Sequence, residues 1–255
     1  MLWSASDLTR CGIDAIDGSI GTISDLLFDD ETWMVRWFVV GTGVFFTGRR
    51  VLLPPSAVVS ADAVGRSLAV DVTREQVKDS PELDFDAPVS RQHERSLYSH
   101  YGWDPYWGPH TYFAAGDRAP VVPPQPSETQ GGPEFSTGSE LRTEGDPHLR
   151  SVSEVTGYYV LATDGDIGHV EDFVVDTDAW AIRYIAVDTV NWLPGKKVLI
   201  SPTAITEVVW AMQTVNVDLT RKQIRGAPEY LPGRVVDRAY EAIYHDYYGY
   251  PYYWK

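Results

Sequence analysis

The sequence predicts a mainly β protein made of two small antiparallel barrels, related by pseudo-twofold symmetry, with short helices and aromatic tails. Three observations predict this fold class. The chain repeats itself without a gap, each repeat has the turn residues that separate short strands, and 44% of the 255 residues are hydrophobic, as in folded globular proteins. A chain of this length also fits two modules of ordinary size better than one large domain.

The internal repeat has a constant offset of 147 positions, which places Asp17-Gly18 on Asp164-Gly165. The same offset pairs identical residues along most of both halves. The pairs include Ile20-Gly21 with Ile167-Gly168, Asp25 with Asp172, Trp33 with Trp180, Arg36 with Arg183, Pro55 with Pro202, Gln76 with Gln223, Pro81-Glu82 with Pro228-Glu229, Tyr101-Gly102 with Tyr248-Gly249 and Trp107 with Trp254. Chance does not keep one register over such a length, so each repeat is predicted to be one structural unit.

The repeat divides the chain into copy one, residues 1–113, and copy two, residues 149–255. Residues 114–148 between the copies are rich in Pro, Gly, Ser, Thr and Glu and have no apolar periodicity. We therefore predict that this segment is a flexible linker.

Within each copy the sequence predicts four main strands and one short helix. Gly18 and Gly165 follow aspartates in hairpin-type turns, because glycine accepts the positive φ that such turns need. Thr73 and Thr220 are the predicted N-caps of the helices, which a following proline ends. The predicted strands span residues 19–28, 33–40, 50–53 and 68–72 in copy one, and residues 166–175, 180–187, 197–200 and 214–218 in copy two.

This order of strands gives a small, strongly bent sheet, which can cover its apolar face by curling into a barrel. The strand at residues 181–187 carries apolar side chains on both faces, including Ile182 and Ile185. Both faces of such a strand are expected to be covered, so we predict that the other copy packs on its outer face. Duplicated modules often keep the self-complementary contact of a homodimer within one chain, which predicts a pseudo-twofold arrangement.

The best repeated segments resemble the PRC-barrel domain, the module named for the cytoplasmic part of the photosynthetic reaction centre H subunit. They read DGSIGTISDLLFDDETW, RRVLLPPSAV and LAVDVTREQVKDSPE in copy one, and DGDIGHVEDFVVDTDAWAIRYIAVDT, GKKVLISPTAI and VNVDLTRKQIRGAPE in copy two. The resemblance covers most of both copies. It implies the barrel fold and a role in protein contacts, because the family includes photosynthetic, ribosome-maturation and sporulation proteins.

The composition disfavours nucleic acid and membranes as ligands. A net charge of -15 repels phosphate backbones and anionic headgroups. No run approaches the roughly 20 apolar residues that span a bilayer, and the first residues lack the apolar core of a signal sequence. Cys11 is the only cysteine, which excludes an intramolecular disulfide and a cysteine-based zinc site. We expect a cytoplasmic protein that has no integral membrane segment and does not bind nucleic acid.

Asp25 and Asp172 are carboxylates that recur in the predicted strands, where they could form a catalytic pair or structural ion pairs. If a four-residue turn joins residues 28 and 33, and likewise residues 175 and 180, Asp25 faces Arg36 and Asp172 faces Arg183. Cross-strand ion pairs of this kind contribute about 0.2–1 kcal/mol. We predict the structural role for all of these residues.

The sequence contains no recognisable catalytic, cofactor or metal motif. The acidic residues that follow Asp164 do not have the spacing of an EF-hand, because Gly168 and Val175 occupy positions that need oxygen ligands. The six histidines have no metal-ligand spacing, and neither a GxSxG elbow nor a phosphate-binding loop occurs. We therefore predict no catalytic residue, no cofactor and no metal.

Each copy ends in an aromatic tail, LYSHYGWDPYWGPHTYF in copy one and AYEAIYHDYYGYPYYW in copy two. The tyrosines of the second tail recur at helical spacing up to Gly249, which ends the predicted helix. The rings either pack on the barrels or form a platform for a protein partner, since Tyr and Trp dominate interface hot spots. The candidate partner-binding residues are Tyr101, Trp103, Trp107, Tyr248, Tyr250 and Trp254.

The function that the sequence favours is that of a non-catalytic, soluble scaffold that binds a protein partner or another copy of itself. The first alternative is a peripheral membrane or electron-transfer accessory factor, which the resemblance to the H subunit implies. A weaker alternative is an enzyme with a site between the two barrels.

Overall fold

The computed structural model of the chain describes residues 1–42, 49–81, 91–103, 148–189 and 196–255. The predicted linker lies outside these residues except for His148, and Trp107 lies outside them too. Within these ranges the chain is mainly β, as predicted, with one sheet for each copy.

Each copy contributes short strands and a few short helices. The strands are β1 (Leu2–Ser4), β2 (Gly12–Ala15), β3 (Gly18–Asp29), β4 (Val35–Thr42), β5 (Arg50–Leu53), β6 (Val58–Asp62), β7 (Ser67–Val70), β8 (Leu149–Ser151), β9 (Tyr159–Ala162), β10 (Gly165–Asp176), β11 (Ala181–Asp188), β12 (Lys197–Ile200), β13 (Ile205–Val209), β14 (Thr214–Val217) and β15 (Glu229–Tyr230). The helices are α1 (Ala5–Leu8), α2 (Arg74–Lys78), α3 (Arg91–Tyr101), α4 (Val152–Val155), α5 (Arg221–Gly226) and α6 (Arg238–Tyr248).

The two sheets have the same order of strands, β5-β4-β3-β2-β7-β6 in copy one and β12-β11-β10-β9-β14-β13 in copy two, where β15 adds to β12. A short 3-10 turn joins the two ends of each order, at Pro55–Ala57 and at Pro202–Ala204, and no ladder closes the sheets in the described part of the chain. The strands β2 and β9, which the sequence analysis did not predict, pair in parallel with β7 and β14. The sheets are therefore curled and barrel-like, with one parallel pairing in each otherwise antiparallel copy.

The first strand of each copy joins the sheet of the other copy. Strand β1 pairs antiparallel with β10, and β8 pairs antiparallel with β3. The tips of the two long hairpins also meet, because the Val35 N–H donates to Trp180 O and the Ile182 N–H donates to Trp33 O, each at 2.8 Å. Met34 bridges Ala181, its own counterpart at the 147-residue offset, so the pseudo-twofold axis passes near these two residues.

One apolar core spans both copies and contains Phe28 and Phe173, whose ring centroids are 5.6 Å apart. A second, smaller cluster covers the other face of β11, where Tyr184 packs against Tyr244 of α6. The prediction that the other copy covers this outer face was therefore wrong. The C-terminal helix of the same copy covers it, because its tyrosines supply the apolar surface.

The residues that repeat most strictly fix the turns and caps. Thr73 and Thr220 form the predicted N-caps, each in a capping box with the glutamine three residues later. The hairpin-turn aspartates reinforce these helix starts, since Asp164 Oδ1 accepts the Arg221 N–H at 2.7 Å. Gly168 has a φ of +133°, and a Cβ there would lie 1.9 Å from Asp188 O. Only glycine satisfies both conditions, which explains its place in the repeated DGxIG motif.

Candidate functional site

Asp25 and Asp172 anchor the exchanged segments. Asp172 accepts hydrogen bonds from the Ser6 N–H at 3.1 Å and the Ser6 hydroxyl at 2.6 Å. Asp25 accepts the equivalent bonds from Ser153, at 3.1 Å and 2.8 Å, and a further bond from the Ser151 hydroxyl at 2.5 Å. Each carboxylate therefore binds the other copy across the pseudo-twofold axis. We call these two places the exchange sites.

A serine also begins the short helix that follows each exchanged strand. The Ser4 hydroxyl accepts the Asp7 N–H at the start of α1, and the Ser151 hydroxyl accepts the Glu154 N–H at the start of α4. The caps place the second serine of each Ser-x-Ser segment against the aspartate of the other copy. The exchanged strand, the capping serine and the serine that binds the aspartate therefore form one docking unit, and each copy has one such unit.

The predicted ion pairs Asp25–Arg36 and Asp172–Arg183 were wrong. The strand register places Val39 opposite Asp25, and Ala186 opposite Asp172. Each arginine pairs instead with the aspartate that ends the preceding strand, next to the hairpin turn. Arg36 lies 3.0 Å from Asp29, and Arg183 lies 3.0 Å from Asp176.

The error came from the hairpin turn. Trp33 and Trp180 adopt positive φ, 59° and 51°, and so lie within the turn rather than at the start of the next strand. The closing bond joins the Asp29 N–H to Met34 O at 3.0 Å, one residue further along both strands than predicted. β-bulges between Leu27 and Phe28, and between Val174 and Val175, then shift the register again.

The true ion pairs change the acidity of their carboxyl groups. Burial alone would raise the pKa of Asp29, but the Thr32 N–H and the Arg36 guanidinium outweigh it and lower the pKa below its ordinary 3.8. Burial likewise opposes the change at Asp176, where bonds from Arg183 and from the Asp178 N–H lower the pKa. Because the folded state holds these protons more weakly, both pairs stabilise it above the ordinary pKa and lose this effect as the pH falls through the folded pKa.

We expect Arg183→Gln to lower the free energy of unfolding by about 1 kcal/mol at pH 7 and by less at pH 3, because pH 3 lies below the ordinary aspartate pKa of 3.8 and part of the stabilisation by the Asp176 pair is lost there. Urea unfolding followed by circular dichroism at both pH values measures the difference. Arg10→Gln is the control, because Arg10 is exposed and belongs to no ion pair in the described residues. An equal loss at pH 3 and pH 7 would contradict the prediction.

A buried glutamate holds the C-terminal helix and tail of copy two. The Glu241 carboxylate is 1% exposed. It accepts bonds from the Tyr184 hydroxyl at 3.0 Å and the Tyr253 hydroxyl at 2.6 Å, and it pairs with Arg238 at 2.7 Å. His245 Nε2 lies 2.9 Å from the Tyr184 hydroxyl. Burial, and then the negative charge of Glu241, raise the pKa of Tyr184, so this tyrosine remains a hydrogen-bond donor. We call these five residues the tail cluster.

Copy one has the counterpart of this glutamate. The indole N–H of Trp37 on β4 donates to Glu94 of α3 at 2.8 Å, and Glu94 is fully buried. Trp37 and Glu94 stand at the offset positions of Tyr184 and Glu241. Both copies therefore fix their C-terminal helix with a buried carboxylate and an aromatic donor on the equivalent strand, β4 or β11.

In the part of each aromatic tail that the structure describes, the rings mainly pack on their own copy. Tyr101 is buried and stacks on Trp103 at 4.1 Å, which favours the packing alternative for this residue. Tyr248 and Tyr250 stack at 5.3 Å, and Trp254 contacts His245 at 5.0 Å, and all three remain partly exposed. Partner binding by these three stays a prediction, while Trp107 lies outside the described residues.

A sequence model of the PRC-barrel domain matches residues 4–77 and 147–224, which together make up more than half of the chain. The chain belongs to the PRC-barrel family. The matched segments begin beside the Ser-x-Ser units and end in α2 and α5. Each PRC copy therefore includes the segment that it gives to the other. Of the tail cluster, only Tyr184 lies within the matched residues, while Arg238, Glu241, His245 and Tyr253 lie beyond them.

No curated protein matches the chain. None of the helices in the described ranges is long and apolar enough to cross a membrane. The same ranges bring together no group of three or more His, Cys, Asp or Glu side chains that could hold a metal ion.

An apolar groove of about 290 Å³ lies on PRC copy two, between residues 229–237 and helix α6. Its walls include Leu231, Val235 and Ile243, which are 47%, 72% and 61% exposed. Glu229 and Asp237 also line it. At the offset positions of the three aliphatic residues, copy one has Asp84, Pro88 and Ser96. The aliphatic side chains that line the groove are thus particular to the sequence of copy two.

The sequence analysis did not identify two sets of residues, those that bind the exchange-site aspartates and those that anchor the C-terminal helices. Ser6 and Ser153 bind the exchange-site aspartates, and Glu94 and Glu241 hold the C-terminal helices. The signal that could have found them is the repeat itself, because the offset of 147 also pairs Ser6 with Ser153 and Glu94 with Glu241. An identical acidic residue within two amphipathic helices is a candidate for a buried hydrogen-bonded group.

Proposed function

We propose that the chain is a non-catalytic, cytoplasmic binding protein that holds an apolar segment of a protein partner in the groove of copy two. The observation that carries the proposal is the exposure of Leu231, Val235 and Ile243 along one groove. Contiguous exposed aliphatic side chains with a polar rim are typical of protein-binding surfaces. The buried Cys11, the only cysteine of the chain, fits a reducing compartment.

The groove is fixed before a partner arrives. Its helical wall, α6, is held from behind by Glu241 and His245, whose side chains bind Tyr184 on the sheet. The tail then folds back on the helix, where Tyr253 donates to Glu241. A rigid surface loses less conformational entropy on binding, so a modest apolar contact can give useful affinity.

Charge indicates the chemistry of the partner. The net charge of -15 attracts basic proteins over long distances and repels acidic ones. The charged side chains that line the groove are Glu229, Asp237 and Arg234, so the two carboxylates outnumber the one guanidinium and can accept a lysine or arginine next to the apolar anchor. We therefore propose a partner segment that combines aliphatic or aromatic anchors with at least one basic residue.

Ile243→Asp should abolish binding of such segments without unfolding the protein, because Ile243 is 61% exposed. The test is a selection of displayed random peptides on the wild-type chain, followed by measurement of the dissociation constants of the selected peptides. We expect apolar sequences flanked by Lys or Arg, and a loss of affinity of at least about tenfold in Ile243→Asp.

Val59→Asp is the matched control, since Val59 is 71% exposed on β6 of copy one, away from the groove. It should leave the affinities unchanged. Selected peptides that are acidic, or that bind wild type and Ile243→Asp equally well, would contradict the proposal.

A further inference from the structure

The two exchange sites give each half of the chain both parts of a reciprocal contact. Each half supplies a Ser-x-Ser segment and an aspartate that receives the segment of the other half. The hairpin tips add a symmetric pair of backbone bonds, Val35 to Trp180 and Ile182 to Trp33. These contacts depend on the two halves being adjacent, and none of them requires both halves to come from the same chain.

The covalent connection runs through residues 104–147. A chain of this length can span at most about 150 Å, which is much more than the diameter of a protein of this size. A second copy of the chain could therefore supply the complementary half with the same contacts. Exchange of identical elements between protomers is a general route to closed dimers.

The two exchange sites carry different charged groups, the Met1 ammonium beside β1 and an Arg150–Asp30 ion pair beside β8. Beside the exchanged strand β8, Arg150 Nε lies 2.8 Å from Asp30 Oδ2, and the two side chains are only 14% and 11% exposed. His148 Nδ1 lies 3.0 Å from the same carboxylate. At the other site, Trp3 and Thr177 occupy the offset positions of Arg150 and Asp30.

Pairing of two first halves would place Trp3, instead of Arg150, beside Asp30. The mostly buried Asp30 carboxylate would then lose the guanidinium, and removal of one member of a mostly buried ion pair is strongly unfavourable. Pairing of two second halves would place Arg150 beside Thr177, which has no charge. Unlike halves are thus the matched combination.

We propose that the chain also forms a closed dimer in which each half pairs with the unlike half of a second copy, and that the Arg150–Asp30 pair excludes pairing of like halves. This proposal is independent of the groove and its partner. The linker that joins the two halves sets the expected fraction of exchanged dimer. Such linkers give one half an effective concentration of about 1 mM around the other half of the same chain. After refolding, exchanged dimer should be about 1% of the protein at 10 μM and about half at 1 mM.

The test traps the halves with a disulfide at the pseudo-twofold axis. Met34→Cys and Ala181→Cys are introduced into a full chain that carries Cys11→Ala, because these residues face each other. The protein is unfolded, refolded at 10 μM and at 1 mM, oxidised, and run on a non-reducing gel. We expect a linked monomer at 10 μM, and a linked dimer that rises about fiftyfold in proportion at 1 mM.

The control is a Cys11→Ala chain with a single Val64→Cys, which reports random collisions because Val64 is 96% exposed. Dimer no more abundant than in this control at 1 mM would overturn the proposal. Light scattering of the wild-type chain after the same refolding is the second measurement, and a purely monomeric wild type would overturn it as well.

The specificity of pairing has its own readout. Because residues 34 and 181 are equivalent, pairing of two first halves would bring two copies of residue 34 together. Met34→Cys alone, again with Cys11→Ala, should therefore form no dimer beyond the Val64→Cys control. Adding Asp30→Thr and Arg150→Trp, which makes the two exchange sites alike at these two positions, should produce that dimer. Dimer before these changes, or its absence after them, would show that Arg150 and Asp30 do not select unlike halves.

Discussion

Replacing both Asp25 and Asp172 by alanine should lower the free energy of unfolding by about 5 kcal/mol. Each carboxylate accepts at least two bonds from the other copy, and bonds to charged groups contribute about 1.5–3 kcal/mol each, with incomplete additivity. The single core that spans both copies implies that the loss is felt by the whole chain in one transition. Urea unfolding followed by circular dichroism measures it.

Single substitutions at Asp25 distinguish the loss of its hydrogen bonds to the exchanged segment from the loss of a negative charge. Asp25→Ala should cost about 3 kcal/mol, and Asp25→Asn about half of that, because the amide keeps one acceptor oxygen. Asp14→Ala is the matched control, since Asp14 is an exposed strand residue of copy one, and it should cost less than about 0.5 kcal/mol. If Asp25→Ala were no more destabilising than Asp14→Ala, the aspartates would not be anchors.

The repeat made most of the fold predictable because it rests on local rules. The predicted strands 50–53 and 197–200 coincide with β5 and β12, and the threonine caps occur where the sequence placed them. Turn glycines and N-caps depend on residues within a few positions of each other, so one sequence is enough to identify them.

The exchange sites were not predictable in the same way. A three-residue strand such as β1 carries too little pattern to indicate which sheet it joins, and its partner β10 lies in the other half of the chain. The register of the long hairpins depended on the positive φ of Trp33 and Trp180 and on the β-bulge that follows each turn, which hydrophobic patterning does not specify. The ion-pair partners predicted for Asp25 and Asp172 were wrong for these two reasons.

The groove and the tail cluster connect packing with the proposed function. Copy two has an apolar groove where copy one carries Asp84 and Ser96, although both copies hold their C-terminal helix with a buried glutamate. Divergence after duplication therefore changed the exposed face of the helix while the buried face kept its anchor. Conserving the anchor keeps the helix in position, so the outer face can acquire a partner without loss of the fold.

Glu241→Ala should lower the free energy of unfolding by about 3–5 kcal/mol and release the C-terminal tail. The change removes the acceptor of Tyr184 and Tyr253 and the partner of Arg238. Loss of one member of a buried polar network leaves the others unsatisfied, which is among the most costly kinds of substitution. Glu241→Gln should cost less, because it keeps the shape and one acceptor oxygen.

Two measurements distinguish this network from a general packing defect. Hydrogen exchange should accelerate in residues 249–255 and α6 of Glu241→Ala, while β3 and β4 of copy one stay protected. A double-mutant cycle of Glu241→Ala with Tyr184→Phe should give a coupling of about 1–3 kcal/mol, because the two groups share a bond of 3.0 Å. Glu207→Ala, on an exposed strand residue, should change neither quantity. Additive effects, or a tail that stays protected, would mean that Glu241 does not hold the helix that forms the groove.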